Sequence, residues 1–402
     1  MAQNGFDQTA PGKAGAAGAA IQPASGLIVF GEDWGAHPSS TQHLAACLAD
    51  GRRVLWVNSI GLRRPRLTAA DASRAARKVA RALLSRCFRK PSRESRAPFP
   101  TVQPLVVPMA RWRPLRALNR ALLTRSVGRA ADAAGLERPV LWISLPSAVD
   151  AVGALGESAV VYYCCDDFGS LAGVDHPAAL AMEAELAERA DLILAASPAL
   201  AARFPSGKTL LLPHGVDLEL FSRPAPRAGD LPEGGPVAGY YGTIAPWLDL
   251  GLVAAVARLL PEWRFAMIGA VQTDVSAVAG LANVHFLGPR PHADLPRYSQ
   301  HWDAGIIPFL DTPQIRACNP LKLREYLAAG KPVVATPFPA LAPYAAGVRT
   351  AAGAAGIAAA LRASLTDGPR EADARRALVA ADSWAARAAE ASAAISALPC
   401  RR

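Results

Sequence analysis

No apolar run in this 402-residue chain reaches the ~18–20 residues needed to cross a bilayer, because Arg, Asp, Glu or Pro interrupts every candidate. A spanning helix is thereby excluded, and the chain reads as soluble or attached to a membrane surface. Cysteine is sparse too. Cys47, Cys87, Cys164, Cys165, Cys318 and Cys400 show no Cys-x-x-Cys spacing and no histidine at zinc-finger distance, which argues against a disulfide framework and against a structural metal. Residues 1–25, rich in Ala, Gly and Gln, lack the charged start and apolar stretch of a secretory leader; they read as a disordered tail, and the protein as cytoplasmic. Acid is in short supply: 33 Asp and Glu stand against 43 Lys and Arg, for a net charge of +10. The imbalance is local. Between Arg52 and Arg138 there are 21 basic residues and four acids, Asp71, Glu94, Asp132 and Glu137, so one strongly basic segment sits on a mildly acidic body.

What the chain does have is a regular alternation of short β-rich runs with amphipathic stretches. Strands are predicted at Leu27–Phe30, Val54–Asn58, Val140–Leu145, Ala159–Cys164, Leu192–Ala195 and Thr209–Pro213, with helices at Ser39–Asp50, Thr68–Arg89, Arg111–Ala134 and Pro177–Ala190 between them. Ser222–Pro236, dense in Pro, Gly and acid, can continue neither element and marks a linker. The pattern restarts with strands at Val237–Tyr241, Arg264–Gly269, Asn283–Leu287, Asp303–Pro308, Pro332–Ala335 and Val348–Thr350, and helices at Leu248–Leu260, Ala293–His301 and Pro320–Ala329. Ala354–Leu365 and Arg370–Leu398 read as two closing helices. The expectation is an α/β protein of two Rossmann-like, doubly wound domains, residues 26–221 and 237–368, facing an interdomain cleft.

Candidate chemistry lies at the predicted strand ends. In Asn319-Pro-Leu-Lys-Leu-Arg-Glu-Tyr-Leu-Ala-Ala-Gly-Lys-Pro-Val-Val-Ala-Thr336, Asn319 is a plausible N-cap, Pro320 suits the first helical position and Gly330 closes the helix. Lys322 and Glu325 share one face near its positive end, where a nucleotide's diphosphate and ribose could both be held; the plainer alternative is a surface ion pair. Gly239 and Gly242 keep the backbone open in Val237-Ala-Gly-Tyr-Tyr-Gly-Thr-Ile, so the amides of Gly242, Thr243 and Ile244 are candidates to cradle a diphosphate. In Leu210-Leu-Leu-Pro-His-Gly-Val-Asp217, Gly215 permits a sharp turn, and His214 is placed to bond a sugar or phosphate or else to cap a strand. Either Asp166 or Asp167, ending the Val160–Cys164 run, is a candidate general base, with Asp33 as rival and Trp34 as a sugar-stacking surface; the alternative for the aspartates is capping of the following turn.

Taken together, the Pro-His-Gly-Val-Asp segment, the Gly-Tyr-Tyr-Gly loop and Glu325 with Gly330-Lys-Pro-Val-Val334 resemble bacterial GT-B-fold glycosyltransferases of the polysaccharide or teichuronic-acid type, across roughly residues 27–345. The resemblance implies transfer of a sugar from a nucleoside diphosphate sugar to a lipid-linked or polysaccharide acceptor, with Glu325 on the donor ribose, no metal or other cofactor, and residues 369–402 packing back on the first domain. Two features depart from that pattern. Ala317 stands where many relatives carry a second Glu, and Trp247 and Asp249 follow the Gly242 loop in place of an Arg and a Lys, which leaves Lys322, a neighbouring Arg such as Arg316, or helix dipoles to stabilise the diphosphate.

The basic helix at Thr68–Arg89, with Arg74, Arg77, Lys78 and Arg81 around Val79, Leu83 and Leu84, suits the anionic inner face of a membrane, where a lipid-linked acceptor would arrive. No aromatic-interleaved sheet, zinc module or helix-turn-helix pattern accompanies the charge, so nucleic acid is not an expected partner. A nicotinamide oxidoreductase is disfavoured because no Gly-x-Gly-x-x-Gly follows the first strand. The alternative carried forward is a non-catalytic scaffold of the same fold that binds membrane or polymer through its basic domain.

Overall fold

A computed structural model of the chain describes residues 26–36, 39–60, 97–104, 106, 112–171 and 174–399. The expected tail and the basic helix with Arg74, Arg77, Lys78 and Arg81 lie outside the described residues.

Two parallel sheets make up the molecule. The first orders its strands β3-β2-β1-β4-β5-β6-β7, where β1 is Leu27–Phe30, β2 Val54–Val57, β3 Thr101–Val102, β4 Val140–Ile143, β5 Ala159–Cys164, β6 Leu192–Ala195 and β7 Thr209–Leu211. The second orders β10-β9-β8-β11-β12-β13, with β8 at Val237–Tyr241, β9 at Arg264–Ile268, β10 at Val284–Phe286, β11 at Ala304–Ile307, β12 at Val333–Ala335 and β13 at Val348–Thr350. The central strands are unbroken apolar runs, buried along their whole length, because helices cover both faces. In both sheets the strand order reverses beside the first strand, between β1 and β4 and between β8 and β11. That reversal opens a crevice at the carboxyl ends, the usual ligand position in such folds.

Several elements differ from the sequence expectation for local reasons. The strand β3 is only two residues long and carries no apolar run to betray it. The helix expected at Ala293–His301 is a 3-10 turn, His292–Asp294, followed by the short helix Pro296–Ser299, because Pro296 lacks the amide that would continue the first. Arg370–Leu398 is two helices, Pro369–Leu378 and Trp384–Ser396, parted where Asp382 turns inward to ion-pair with Arg324 and Arg387. No helix or strand runs through Ser222–Pro236, but the stretch is not loose: Ala228 and Leu231 are buried, and the amides of Ala225 and Ala228 donate to Gln300 and to the Arg297 carbonyl.

The helix Trp384–Ser396 belongs spatially to the first sheet. Trp384, Ala388, Ala391 and Ile395 share a core with Leu27, Val29, Leu44 and Trp56, and Arg52 reaches Ser392 and Ser396 at 3.0 Å each. Gly215 is glycine for this packing rather than for a sharp turn, since a Cβ there would stand 2.8 Å from the Trp384 ring.

Candidate active site

The donor side of the crevice is built on the helix Leu321–Ala328. Its N-cap is Pro320, not Asn319. Asn319 instead crosses to the first unit, donating to the Ala196 carbonyl at 2.5 Å while its side-chain oxygen accepts from Arg324. Beside it the Ser197 hydroxyl donates to the Ala317 carbonyl at 2.7 Å, and the Ala317 methyl is buried in the core of the first sheet. A glutamate at position 317 would have to bury a carboxylate in that core, which explains the missing acid.

Lys322 lies against the Gly242 loop. A Cβ added to Gly242, whose φ is +124°, would come within 3.2 Å of the Lys322 ammonium, which also stands 5.1 Å from the Tyr240 ring centre and 5.3 Å from that of Phe309. Among the described residues the ammonium has no carboxylate partner. Arg316, by contrast, is held in a bidentate pair with Asp311 at 2.7 Å on the exposed surface. The expected cradle of three amides is reduced to one. The Gly242 amide donates to Ile268 O and the Ile244 amide to Ala270 O, both at 2.9 Å, because this loop zips onto the exit of β9; only the Thr243 amide is left. Asp249 caps the next helix by accepting from the Leu252 amide at 2.8 Å.

Glu325 is buried on the same helix, and its Oε1 lies 2.8 Å from Nε2 of His292. His292 in turn lies 5.8 Å, ring centre to ring centre, from His43, which stacks flat on Trp384 at 4.7 Å. Neither histidine had a sequence signal: both sit within ordinary amphipathic stretches, and their meeting depends on long-range folding. His214 is fully enclosed, with Nδ1 3.1 Å from the Tyr163 hydroxyl; burial, with Arg324 nearby, pushes it down to about 3, so it is a neutral structural group.

On the acceptor side the two adjacent aspartates diverge. Asp167 pairs with Arg203 at 2.9 Å, accepts from the Gly169 amide at 3.1 Å and from the Ser170 hydroxyl at 2.6 Å, and so caps the turn after β5. Asp166 has no such side-chain bond among the described residues. It is open to solvent yet closely walled by protein, the condition of a cleft residue, and that crowding with the charges of Glu32 and then Asp167 pushes it up to about 6. Glu32, from the loop after β1, went unnoticed in the sequence. Asp33 is committed to Ser59, accepting from its amide at 3.1 Å and its hydroxyl at 2.8 Å. Trp34 is partly exposed and makes T-shaped contacts with Trp56 at 5.0 Å and Phe99 at 4.8 Å. The Cys318 thiol is pushed up to about 12 by burial, with Lys322 pulling it down and Asp166 pushing it up.

Residues 235–367 match the family model described as Glycosyl transferases group 1. A putative teichuronic acid biosynthesis glycosyltransferase, TuaH of Bacillus subtilis strain 168, is 33% identical over 224 residues; the match covers 50% of this chain and only 56% of that protein's length. Among solved structures, Anabaena Alr3699/HepE in complex with UDP and glucose superposes with a TM-score of 0.64 at 14% identity, covering 93% of this chain and all of that one. An E. coli trehalose-6-phosphate structure bound with UDP-2-fluoro glucose gives 0.62 at 13% identity, over 94% of this chain and 100% of the other. Residues 235–367 are therefore a glycosyl transferases group 1 domain, set in a chain that has the GT-B fold.

Proposed function

We propose that the protein transfers a sugar from a nucleoside diphosphate sugar to an acceptor hydroxyl, in the synthesis of an envelope or extracellular polysaccharide. The observation that carries this reading is Lys322: a half-buried ammonium with no carboxylate partner among the described residues, set against the Gly242–Thr243 loop at the carboxyl end of β8. A departing diphosphate is the ligand such a cation suits, and no metal is required if Lys322 and the Thr243 amide receive the developing charge. Glu325 is the candidate for the ribose hydroxyls. Across the crevice Asp166 takes the proton from the acceptor hydroxyl, the oxygen attacks the anomeric carbon, and the bond from that carbon to the diphosphate breaks with its electrons leaving on the diphosphate. An acid held at about 6 is mostly ionised at neutral pH and still basic enough for this step.

A lipid-linked acceptor at an anionic membrane surface belongs to the same proposal. It is supported by the basic composition of residues 52–138 and by the helix Arg113–Ala133, which begins beside Trp112, 74% exposed, and presents Leu118, Arg125 and Arg129 to solvent.

The test is donor-dependent release of nucleoside diphosphate, assayed with UDP-, GDP- and dTDP-sugars. Lys322→Ala is expected to lower kcat about a hundredfold or more, the cost of removing a charge aimed at the leaving group. Release from none of these donors by the intact chain would leave the non-catalytic scaffold as the better reading.

A further inference from the structure

We propose that His292 is the positioning residue for the Glu325 carboxylate, holding it in the orientation that receives the donor ribose. This rests on the function proposed above. Three observations carry it. The hydrogen bond, 2.8 Å from Nε2 to Oε1, comes from a separate segment 33 residues earlier in the chain, so it fixes a side chain that its own helix leaves free to rotate. His292 is itself held: its ring stands edge-on to Phe221 at 5.5 Å, and His43 of the first unit lies on its other side, backed by Trp384. The contact is also enclosed, with the Glu325 side chain 8% and the His292 side chain 19% exposed, so water competes poorly for the carboxylate.

The charged and titratable groups that face His292 are Glu325 on the donor helix, Asp217 at the start of the helix Leu218–Ser222, and His43. Burial pulls His292 down, but the hydrogen bond and charge of Glu325, then Asp217, lift it above its ordinary 6.5. Burial, and the neighbouring His292, push His43 down to about 4. Of the two facing rings, then, His292 takes the proton, and its hold on Glu325 strengthens as pH falls and weakens as pH rises through its titration.

The experiment is calorimetric binding of UDP, GDP and ADP to the full chain, wild type, His292→Ala and His292→Gln, from about pH 5.5 to about pH 8.5. Glutamine can still donate to Glu325 but cannot charge. Titration of the nucleotide's own phosphate is common to all three proteins and cancels in the comparison. Wild-type affinity is expected to fall, relative to His292→Gln, as pH rises. His292→Ala should bind about tenfold more weakly at neutral pH, and His292→Gln should recover most of that loss without the pH step. Wild-type affinity that follows the glutamine variant at every pH overturns the positioning role. Affinity that rises with pH relative to that variant also overturns it, since His292 would then be competing with the ribose. Failure of the wild type to bind any of the three nucleotides overturns the donor-site reading and this inference together. Melting curves establish folding of the variants; if His292→Ala unfolds, the comparison of wild type with His292→Gln decides alone.

Discussion

Asp166 and Asp167 are neighbours in sequence with opposite fates. One carboxylate is saturated with donors, and the other is left among like charges with none. Asp167 satisfies a turn and anchors Arg203, which also reaches the buried Glu183, so its loss weakens the acceptor of the Gly169 amide and Ser170 hydroxyl and leaves Arg203 one carboxylate in place of two. Asp166 costs the fold something instead, because its ionised form is crowded by protein and by Glu32 and Asp167. Asp166→Asn is expected to melt no lower than wild type while transfer falls about a hundredfold, the usual contribution of a general base; Asp167→Asn is expected to lose about 1–3 kcal/mol of stability in urea unfolding. Equal losses of stability in both variants would contradict this division. The sequence could name the pair but not divide its labour, since which carboxylate turns toward the turn amides depends on backbone direction after β5. It could not show that Asp33 is spent on Ser59, or that His292 and His43 reach Glu325, for the same reason: each depends on partners distant in sequence.

At the scale of elements, the strands were the readable part. Leu27–Phe30, Ala159–Cys164, Leu192–Ala195, Val237–Tyr241 and Val348–Thr350 begin and end as expected, and the other predicted strands overrun by a residue or two at one end or both. What composition hides is closeness of packing. Gly239 lies mid-strand in β8, where glycine weakens a sheet, yet an added Cβ would fall 1.9 Å from the Trp302 indole. Trp302 packs in turn against Tyr241 and Tyr326, and the Tyr241 amide donates to the Tyr326 hydroxyl at 3.1 Å, so one missing side chain lets the donor helix settle on the sheet. Gly239→Ala is expected to destabilise by about 3 kcal/mol in chemical denaturation, since neither the tryptophan nor the strand can retreat.

Across the whole molecule, the seam between the two units is built of short polar ties and closely spaced rings: Ser197 to Ala317, Asn319 to Ala196, and the row Glu325, His292, His43, Trp384. Two of its histidines resist charging, His43 at about 4 and His214 at about 3, against an unfolded value of 6.5. With folded values below the unfolded one, both contribute stability that is whole above 6.5 and drains away as pH falls below it. His292, raised, contributes with the opposite sign, present at low pH and lost as pH climbs through its value. Two depressed groups outweigh one raised one, so the melting temperature is expected to fall from about pH 7 to about pH 4.5, with a shallower fall in His43→Gln. A melting temperature that is flat over that range would refute the balance.

The helix Trp384–Ser396 completes the sheet that the opening strands of the chain begin, because Leu27, Val29, Leu44 and Trp56 share their core with Trp384, Ala391 and Ile395. During synthesis, therefore, this unit must wait for a distant later segment, with the apolar face of its helix Ser40–Leu48 uncovered while some three hundred further residues emerge. The second unit closes on purely local strands and can fold in that interval. Between the two units, the order of completion is thus the reverse of the order of synthesis.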